Sequence, residues 1–324
     1  MILLIFIPYA SYCQDEERAL RTMFLNAENA FDTFNDPATD DDDFTTSGVR
    51  RWNNKRYYRK IDDLHKTIIA AGEWSSPDIV ALCEIENRKV LYDLATGTYL
   101  AKYNYSIVHE DSPDSRGIDV CLIYRTDRLK LIHYEYWKPP ENDTVKFNSR
   151  NVLHASFECY NDTFHIIVNH WPSRRGGVLV AEDLRLTMAL LVRHKVDSIL
   201  KQPGGSKIIL VGDFNSTPDD DAIVLLAEKD LVNLSSKIAS SNEGTYRYSG
   251  VWETIDQVII SEYFLKCKSG LYAERNSMRI FKPDFLLVKD PVYPGLTPFS
   301  TYRGFRYQGG ISDHLPVLLD LFLH

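Results

Sequence analysis

Six separate apolar runs of strand length in this chain each carry a compact polar cluster at one end. That repetition constrains the fold more than any other feature. The clusters are Asn26 with Glu28, then Glu84, Asn169 with His170, Asp213 with Asn215, Asp256, and Asp313 with His314. A buried strand gains no stability from a charged end, because a charge near a core is costly unless it is paired or bound to a cation. One such end is an ordinary solvated carboxylate or a turn. Six ask for a fold that gathers its strand ends in one place. Continuous runs such as 77–83 (PDIVALC) and 207–211 read as strands covered on both faces.

Between the clusters, strand patterns alternate with helical ones. Residues 21–25, 118–125, 129–137, 152–159, 163–168, 244–248 and 254–260 are β-prone, 105–109 is a further strand candidate, and 278–288 reads as a strand pair. Helical spacing marks Ile61, Leu64, Ile68 and Ile69, then Val90, Leu91 and Leu94. The longest helical pattern is 178–200, and a short helix over 219–227 is opened by Thr217 and Pro218. There is no Pro/Ser-rich linker, fixed-period repeat or low-complexity tail, so 20–324 is expected to form one domain. The pattern suggests a sandwich of mixed sheets with outer helices.

The 324 residues are ample for a large core, and the apolar (44%) and charged (25%) fractions are ordinary for a globular protein. A net charge of −8 excludes a generally basic, nucleic-acid-coating protein. It leaves room for an enzyme that meets a polyanion through a local basic patch and a divalent metal. Residues 2–7 are apolar and lead through small residues to Gln14. This reads as a signal peptide over 1–13, implying export; the competing reading is a buried first strand. The run is too short to span a bilayer, and no other segment is long and apolar enough. Of five cysteines, Cys83, Cys121 and Cys159 sit in apolar runs and read as core thiols, while Cys267 lies near a strand end. Their spacing is not that of metal ligands, and it leaves disulfide pairing open.

The cluster chemistry is specific. Carboxylates and amides without thiols are hard ligands suited to Mg²⁺, Mn²⁺ or Ca²⁺. Two histidines on separate strand ends suit a general acid and a general base. Asparagines can orient a water or a phosphate oxygen. Together these meet the needs of phosphodiester hydrolysis: neutralise the phosphoryl oxygens, activate water and stabilise the leaving oxygen. Two other stretches admit competing readings. Residues 50–60 interleave Arg and Lys with Trp and Tyr, which suits either a phosphate backbone with stacked bases or a helix flank with snorkelling side chains. Residues 35–43 carry five Asp but lack the central Gly and closing Glu of a calcium loop, so they read as a solvated loop.

The segments LNAENAFD, ALCEIEN, RGIDVCLIYR, VNHWPSR, VGDFN, TIDQ and SDHLPV, in that order from Asn26 to Val317, resemble the successive motifs of the endonuclease/exonuclease/phosphatase superfamily. The resemblance implies a DNase I-like four-layer α/β sandwich, two mixed β-sheets packed face to face and flanked by helices. It implies Glu84 as the main metal ligand, with Asn26, Glu28 and Asp313 as further metal or phosphate ligands. His314 polarised by Asp256, Asp213 with Asn215, and His170 with Asn169 would form the reacting centre. Arg150 would hold a phosphate oxygen, with Arg116 and Arg174 extending that grip. Asp119 would either support His170 or pair with an arginine.

The function this favours is a secreted, monomeric, metal-dependent nuclease acting on DNA or RNA. The alternative is a phosphodiesterase or phosphatase on a lipid or small phosphoester. A non-catalytic binding protein would require lost catalytic groups, and all of them are present. The Pro- and aromatic-rich loop 291–310 is where substrate choice is expected. His65, His109, His133, His154, His165 and His194 stand outside every motif and read as ordinary histidines.

Overall fold

The structure, a computed structural model, describes residues 18–139, 149–173, 178–202, 206–241 and 243–324. The expected leader over 1–13 and Arg174 lie outside the described residues. In chain order the strands are β1 (Leu20–Ala30), β2 (Ile79–Ile85), β3 (Tyr105–His109), β4 (Asp119–Arg125), β5 (Lys130–Trp137), β6 (Val152–Cys159) and β7 (Asp162–His170). They continue with β8 (Lys207–Asp213), β9 (Leu231–Asn233), β10 (Tyr246–Tyr248), β11 (Val251–Glu253), β12 (Asp256–Ser261), β13 (Leu271–Tyr272) and β14 (Met278–Ile280). Two short hairpins follow, β15 (Leu287–Lys289) with β16 (Leu296–Pro298) and β17 (Tyr302–Arg303) with β18 (Arg306–Tyr307), before the last strand, β19 (Val317–Leu323). The main helices are α1 (Asn54–Gly72), α2 (Arg88–Thr96), α3 (Val178–Leu200) and α4 (Asp221–Leu226).

Seven strands form one sheet in the order β13-β19-β1-β2-β4-β3, with β14 also on β19, and six form a second in the order β5-β6-β7-β8-β12-β9. Only β1 with β2 and β7 with β8 run parallel among these ladders. Strand alternation builds three apolar layers. Phe24, Ile79, Ala81 and Cys83 face Leu153, Phe157, Phe164, Ile166, Ile209 and Val211 between the sheets. The opposite faces of β1 and β2, Met23, Leu25, Val80 and Leu82, meet Tyr57, Ile61, Leu64, Val90 and Leu91 of α1 and α2. On the other side, Ile167, Ile208 and Leu210 pack under Met188, Val192 and Val196 of α3 and Ile223 of α4. Each fully buried Leu, Ile or Phe contributes roughly 1.5–3 kcal/mol of transfer free energy. The result is the four-layer sandwich, and it explains the unbroken apolar runs: the central strands are covered on both faces.

Local signals set the helix starts. Asn53 and Asn87 cap α1 and α2 by accepting the amides of Arg56 and Val90. The short helix begins two residues later than its sequence pattern suggests, because Asp220 takes the Thr217 amide at 2.8 Å and holds 217–220 as a turn. The segment 278–288 is not a strand pair; β14 joins the seven-strand sheet, and a 3-10 turn at Asp284–Leu286 separates it from β15. Cys83, Cys121 and Cys159 are buried free thiols, and Cys267 is half-buried and free. No described helix is long and apolar enough to cross a membrane.

The basic-aromatic stretch 50–60 is largely internal. Trp52 is fully buried, and Tyr57 gives its hydroxyl to Asp93 at 2.6 Å. Arg50 stacks over Phe44, Tyr302 and Phe305, and Arg56 over Tyr307. Lys60 is buried and bonds the Glu28 carbonyl, Thr301 Oγ1 and the Ile311 carbonyl. The stretch fastens the 299–311 loop to α1, so the helix-flank reading holds for most of it. Arg51, Asn54, Lys55, Tyr58 and Arg59 remain exposed.

Candidate active site

Register brings the polar strand ends together. His170 lies opposite Asp213 across β7 and β8, and Asp213 lies opposite Asp256 across β8 and β12. These three therefore form one row at one end of the six-strand sheet. Gly212 makes the close approach possible: a Cβ there would sit 2.2 Å from the Asn169 carbonyl oxygen. In the other sheet, β-bulges interrupt β1 between Asn26 and Ala30 and β2 between Cys83 and Ile85. Bulges re-aim side chains at sheet ends. Glu28, Asn29 and Glu84 accordingly take positive φ values of 47°, 55° and 59°, and Asn215 does so at 49°. Left-handed backbone at non-glycine residues costs free energy and persists where the surroundings enforce it.

The two sheets meet at Asn26, whose Nδ2 donates to Asp213 Oδ2 at 3.1 Å. The turn before β19 is tied on by Ser312, which donates Oγ–H to the Asn26 carbonyl at 2.6 Å and accepts the His314 amide at 3.0 Å. His314 Nδ1 donates to Asp256 Oδ2 at 2.8 Å, leaving Nε2 toward Asp213 and Asp313, 3.9 Å from an oxygen of each. Tyr246 lies against the His314 ring, centroids 4.9 Å apart. Across the cleft, His170 Nε2 stands 3.7 Å from Asp213 Oδ2 and 3.8 Å from Glu84 Oε1. Glu84 is held by the Asn29 amide, 2.9 Å from Oε2. All of these except Asp256 and Ser312 line a cleft of ≈ 610 Å³ with Arg116, Ser173, Asn215, Tyr248, Glu253 and Ile255.

Electrostatics distinguish the groups. Burial pushes the Asp213 carboxyl up to about 7, with Asp256 adding to the rise and His314 opposing it. His314 is held well above the ordinary imidazole range: burial opposes this, but Asp256 and Asp213 outweigh it. His170 falls well below that range through burial and the neighbouring Arg150. Asp213, Asp256 and His314 each present a ligand atom within 4.8 Å of the others. Asp256 Oδ1 is buried without a hydrogen-bond partner. The carboxylates of Glu84, Asp213 and Asp313 and the amides of Asn26 and Asn215 therefore form an oxygen-rich, charge-crowded set that fits a hard divalent cation.

Four residues stand elsewhere than their motifs suggest. Glu28 does not line the cleft; its carboxylate accepts the amides of Thr301 and Tyr302 at 2.5 and 3.0 Å and anchors the loop leading to Asp313. Burial, then Asp313, pushes it up to about 7. Asn169 is fully buried and accepts the Trp171 indole N–H at 3.1 Å, so it braces β7 rather than touching a substrate. Arg150 is buried behind His170 and gives its nitrogens to protein. Among the described residues Asp119 supports neither His170 nor an arginine: it takes the His109 ring at 3.0 Å and the Ser112 amide at 2.8 Å. Conversely, Tyr246, Tyr248 and Glu253 line the cleft without a motif to mark them; their nearness to Asp256 in the chain was the one available signal.

This chain belongs to the endonuclease/exonuclease/phosphatase family, which matches residues 22–322. Nocturnin of Drosophila melanogaster is 27% identical over 179 residues, 51% of this chain. The match spans 26% of that relative's length. Among solved structures, the human Nocturnin catalytic domain with bound sulfate anion superposes with a TM-score of 0.59 at 17% identity, covering 95% of this chain and 96% of that one. D. rerio TDP2 complexed with single strand DNA product gives 0.59 at 14% identity, covering 93% and 98%. A mannosyl-6-phosphatase of Bacteroides thetaiotaomicron gives 0.55 at 15%, covering 93% and 99%. At such identities the likeness is one of fold.

Proposed function

We propose that this chain is a divalent-metal-dependent phosphodiester hydrolase whose substrate is nucleic acid. The observation that carries this reading is the convergence of two imidazoles and four carboxylates on one cleft that also presents Arg116. Glu84, Asn26 and Asp313 would hold Mg²⁺ or Mn²⁺, with Ca²⁺ as a further candidate. When bound, the ion supplies Lewis-acid polarisation of a phosphoryl oxygen. Asp213, with its raised pKa and its Asn26 bond, accepts a proton from the attacking water, and Asn215 orients that water. His314, protonated beside Asp256, donates Nε2–H to the phosphate and then to the leaving oxygen. The P–O bond to the leaving group breaks as water forms its own, and the two protons move from water to Asp213 and from His314 to the leaving oxygen. Arg116, 35% exposed and steadied by Asp114, holds the neighbouring phosphate.

Nucleic acid is favoured by the tyrosines of the cleft: Tyr246 and the exposed Tyr248 offer rings on which bases stack. A TDP2 neighbour carrying a single strand DNA product is consistent with this choice. A lipid or small phosphoester is the second reading. Its support is an exposed apolar rim near Tyr248, comprising Val251, Val292, Tyr293 and Leu296, together with the mannosyl-6-phosphatase neighbour. The test is purified protein with Mg²⁺ or Mn²⁺ offered plasmid DNA, RNA, sphingomyelin and sugar or inositol phosphates in parallel. Cleavage of DNA or RNA is the expected outcome. Turnover of a head group or sugar phosphate without nucleic-acid cleavage moves the assignment to the second reading.

A further inference from the structure

Arg150 stands behind His170, not in front of it. Its Nε donates to His170 Nδ1 at 3.2 Å, its Nη1 meets Asp114 Oδ2 at 3.2 Å, and its Nη2 donates to the Trp171 carbonyl at 3.1 Å. A guanidinium can only donate. The ring nitrogen that receives its bond must therefore present a lone pair, which leaves the single proton of the neutral imidazole on Nε2. A proton on Nδ1 would set two N–H donors against each other at that distance, between residues only 2% and 6% exposed. An imidazolium would add a second cation with no water to screen it.

We propose that Arg150 is a positioning residue that locks His170 as its Nε2–H tautomer, so that His170 serves the reaction as a fixed hydrogen-bond donor rather than as a second general acid or base. The proposal rests on the reading that the cleft cleaves phosphodiesters. The geometry on the cleft side suits that task. His170 Nε2 is 3.7 Å from Asp213 Oδ2 and 3.8 Å from Glu84 Oε1, too far to bond either. An oxygen seated between the two carboxylates would take the N–H. Asp114 makes the arrangement rigid and couples it to the substrate wall. One of its oxygens holds Arg150, and the other accepts the Arg116 amide at 3.0 Å with the Arg116 Nε 3.7 Å away. Proton transfer is thereby left to Asp213 and to the His314–Asp256 pair, and His170 stabilises charge on the phosphoryl oxygens throughout.

Side-chain isosteres separate the two roles. In His170→Gln the amide nitrogen can occupy the place of Nε2, whereas in His170→Asn it occupies the place of Nδ1. Turnover of a phosphodiester by His170→Gln is expected within about 10-fold of the unmodified protein, while His170→Asn and His170→Ala fall by ~10²-fold, the scale of one oxyanion-type donor. His170→Gln falling as far as His170→Ala overturns the proposal. A second arm needs no turnover and so separates failure of this proposal from failure of the hydrolase reading. Long-range ¹H–¹⁵N NMR of the full chain labelled at histidine is expected to show His170 protonated at Nε2 and bare at Nδ1. That pattern should persist in Arg150→Lys and disappear in Arg150→Met. An Nδ1–H tautomer or an imidazolium in the unmodified protein overturns the proposal, even where Arg150→Met fails to fold.

Discussion

The two imidazoles of the cleft rest on opposite kinds of support. His314 is backed by the Asp256 carboxylate at 2.8 Å, and His170 by the Arg150 guanidinium at 3.2 Å. An acid behind an imidazole raises its proton affinity and makes it a proton carrier; a cation behind it does the reverse. The same side chain thus takes two roles in one site according to what lies behind it. The difference also sorts the two walls. On the proposed reading, the wall of Asp213, Asp256 and the turn before β19 would handle protons, and the wall of β7 would hold and neutralise phosphate.

Substitutions can break this comparison or sharpen it. The largest effect is expected from Glu84→Ala and His314→Ala, each losing ~10²–10³-fold in kcat, because on the proposed reading each removes a group that acts directly in the reaction. The supports come next and should differ. Asp256→Asn is expected to cost ~10²-fold in kcat with little change in KM, whereas Arg150→Lys, which keeps a donor behind His170, costs about 10-fold. Equal losses in steady-state kinetics would erase the distinction between the walls. Gly212→Ala acts on both walls at once: its Cβ meets the Asn169 carbonyl, so a destabilisation of ~1–3 kcal/mol or more is expected, read as a lower urea midpoint.

A third imidazole site, away from the cleft, gives the smallest effect. His154 and His165, on the face of β6 and β7 opposite the shared core, support each other at 3.0 Å. Burial, with His154 adding, pushes His165 down to about 4. An unfolded histidine titrates near ~6.5, so between these values the unfolded chain binds the proton that the folded chain refuses. Stability is then full above ~6.5 and declines as pH falls toward 4. His165→Leu should flatten that decline in urea melts across the same range, leaving catalysis intact.

The strand ends were legible because each announces itself where an apolar run stops or opens, and a run covered on both faces has few other reasons to end on a charge. Glu84 and Asp213 close such runs, and Asp256 and His314 mark the opposite case, a charge where an apolar run opens. Arg150 was harder, since an arginine just ahead of a strand can point either way. Its direction is set by Asp114 and Trp171, 36 and 21 residues away. Lys60 shows the same limit. Amid basic neighbours on a helix it reads as solvated, yet the Glu28 carbonyl and the 301–311 loop close over it. Glu28 and Asn169 sit within motifs and serve the scaffold, because a motif records which residues lie near a site and not which way each one faces. The cleft tyrosines belong to a short hairpin whose place depends on Arg247, which ties it to the Pro294 and Leu296 carbonyls at 2.6 and 2.9 Å, a contact no local pattern contains.

The most direct test of the central claim is cleavage of a single-stranded oligonucleotide by the full chain with and without Mg²⁺, run beside Glu84→Gln. The structure leads us to expect cleavage that a chelator abolishes, that Mg²⁺ restores, and that Glu84→Gln lowers by ~10²-fold. Equal, chelator-insensitive hydrolysis by both proteins would contradict the assignment of Glu84 and of the cleft as the metal-dependent centre.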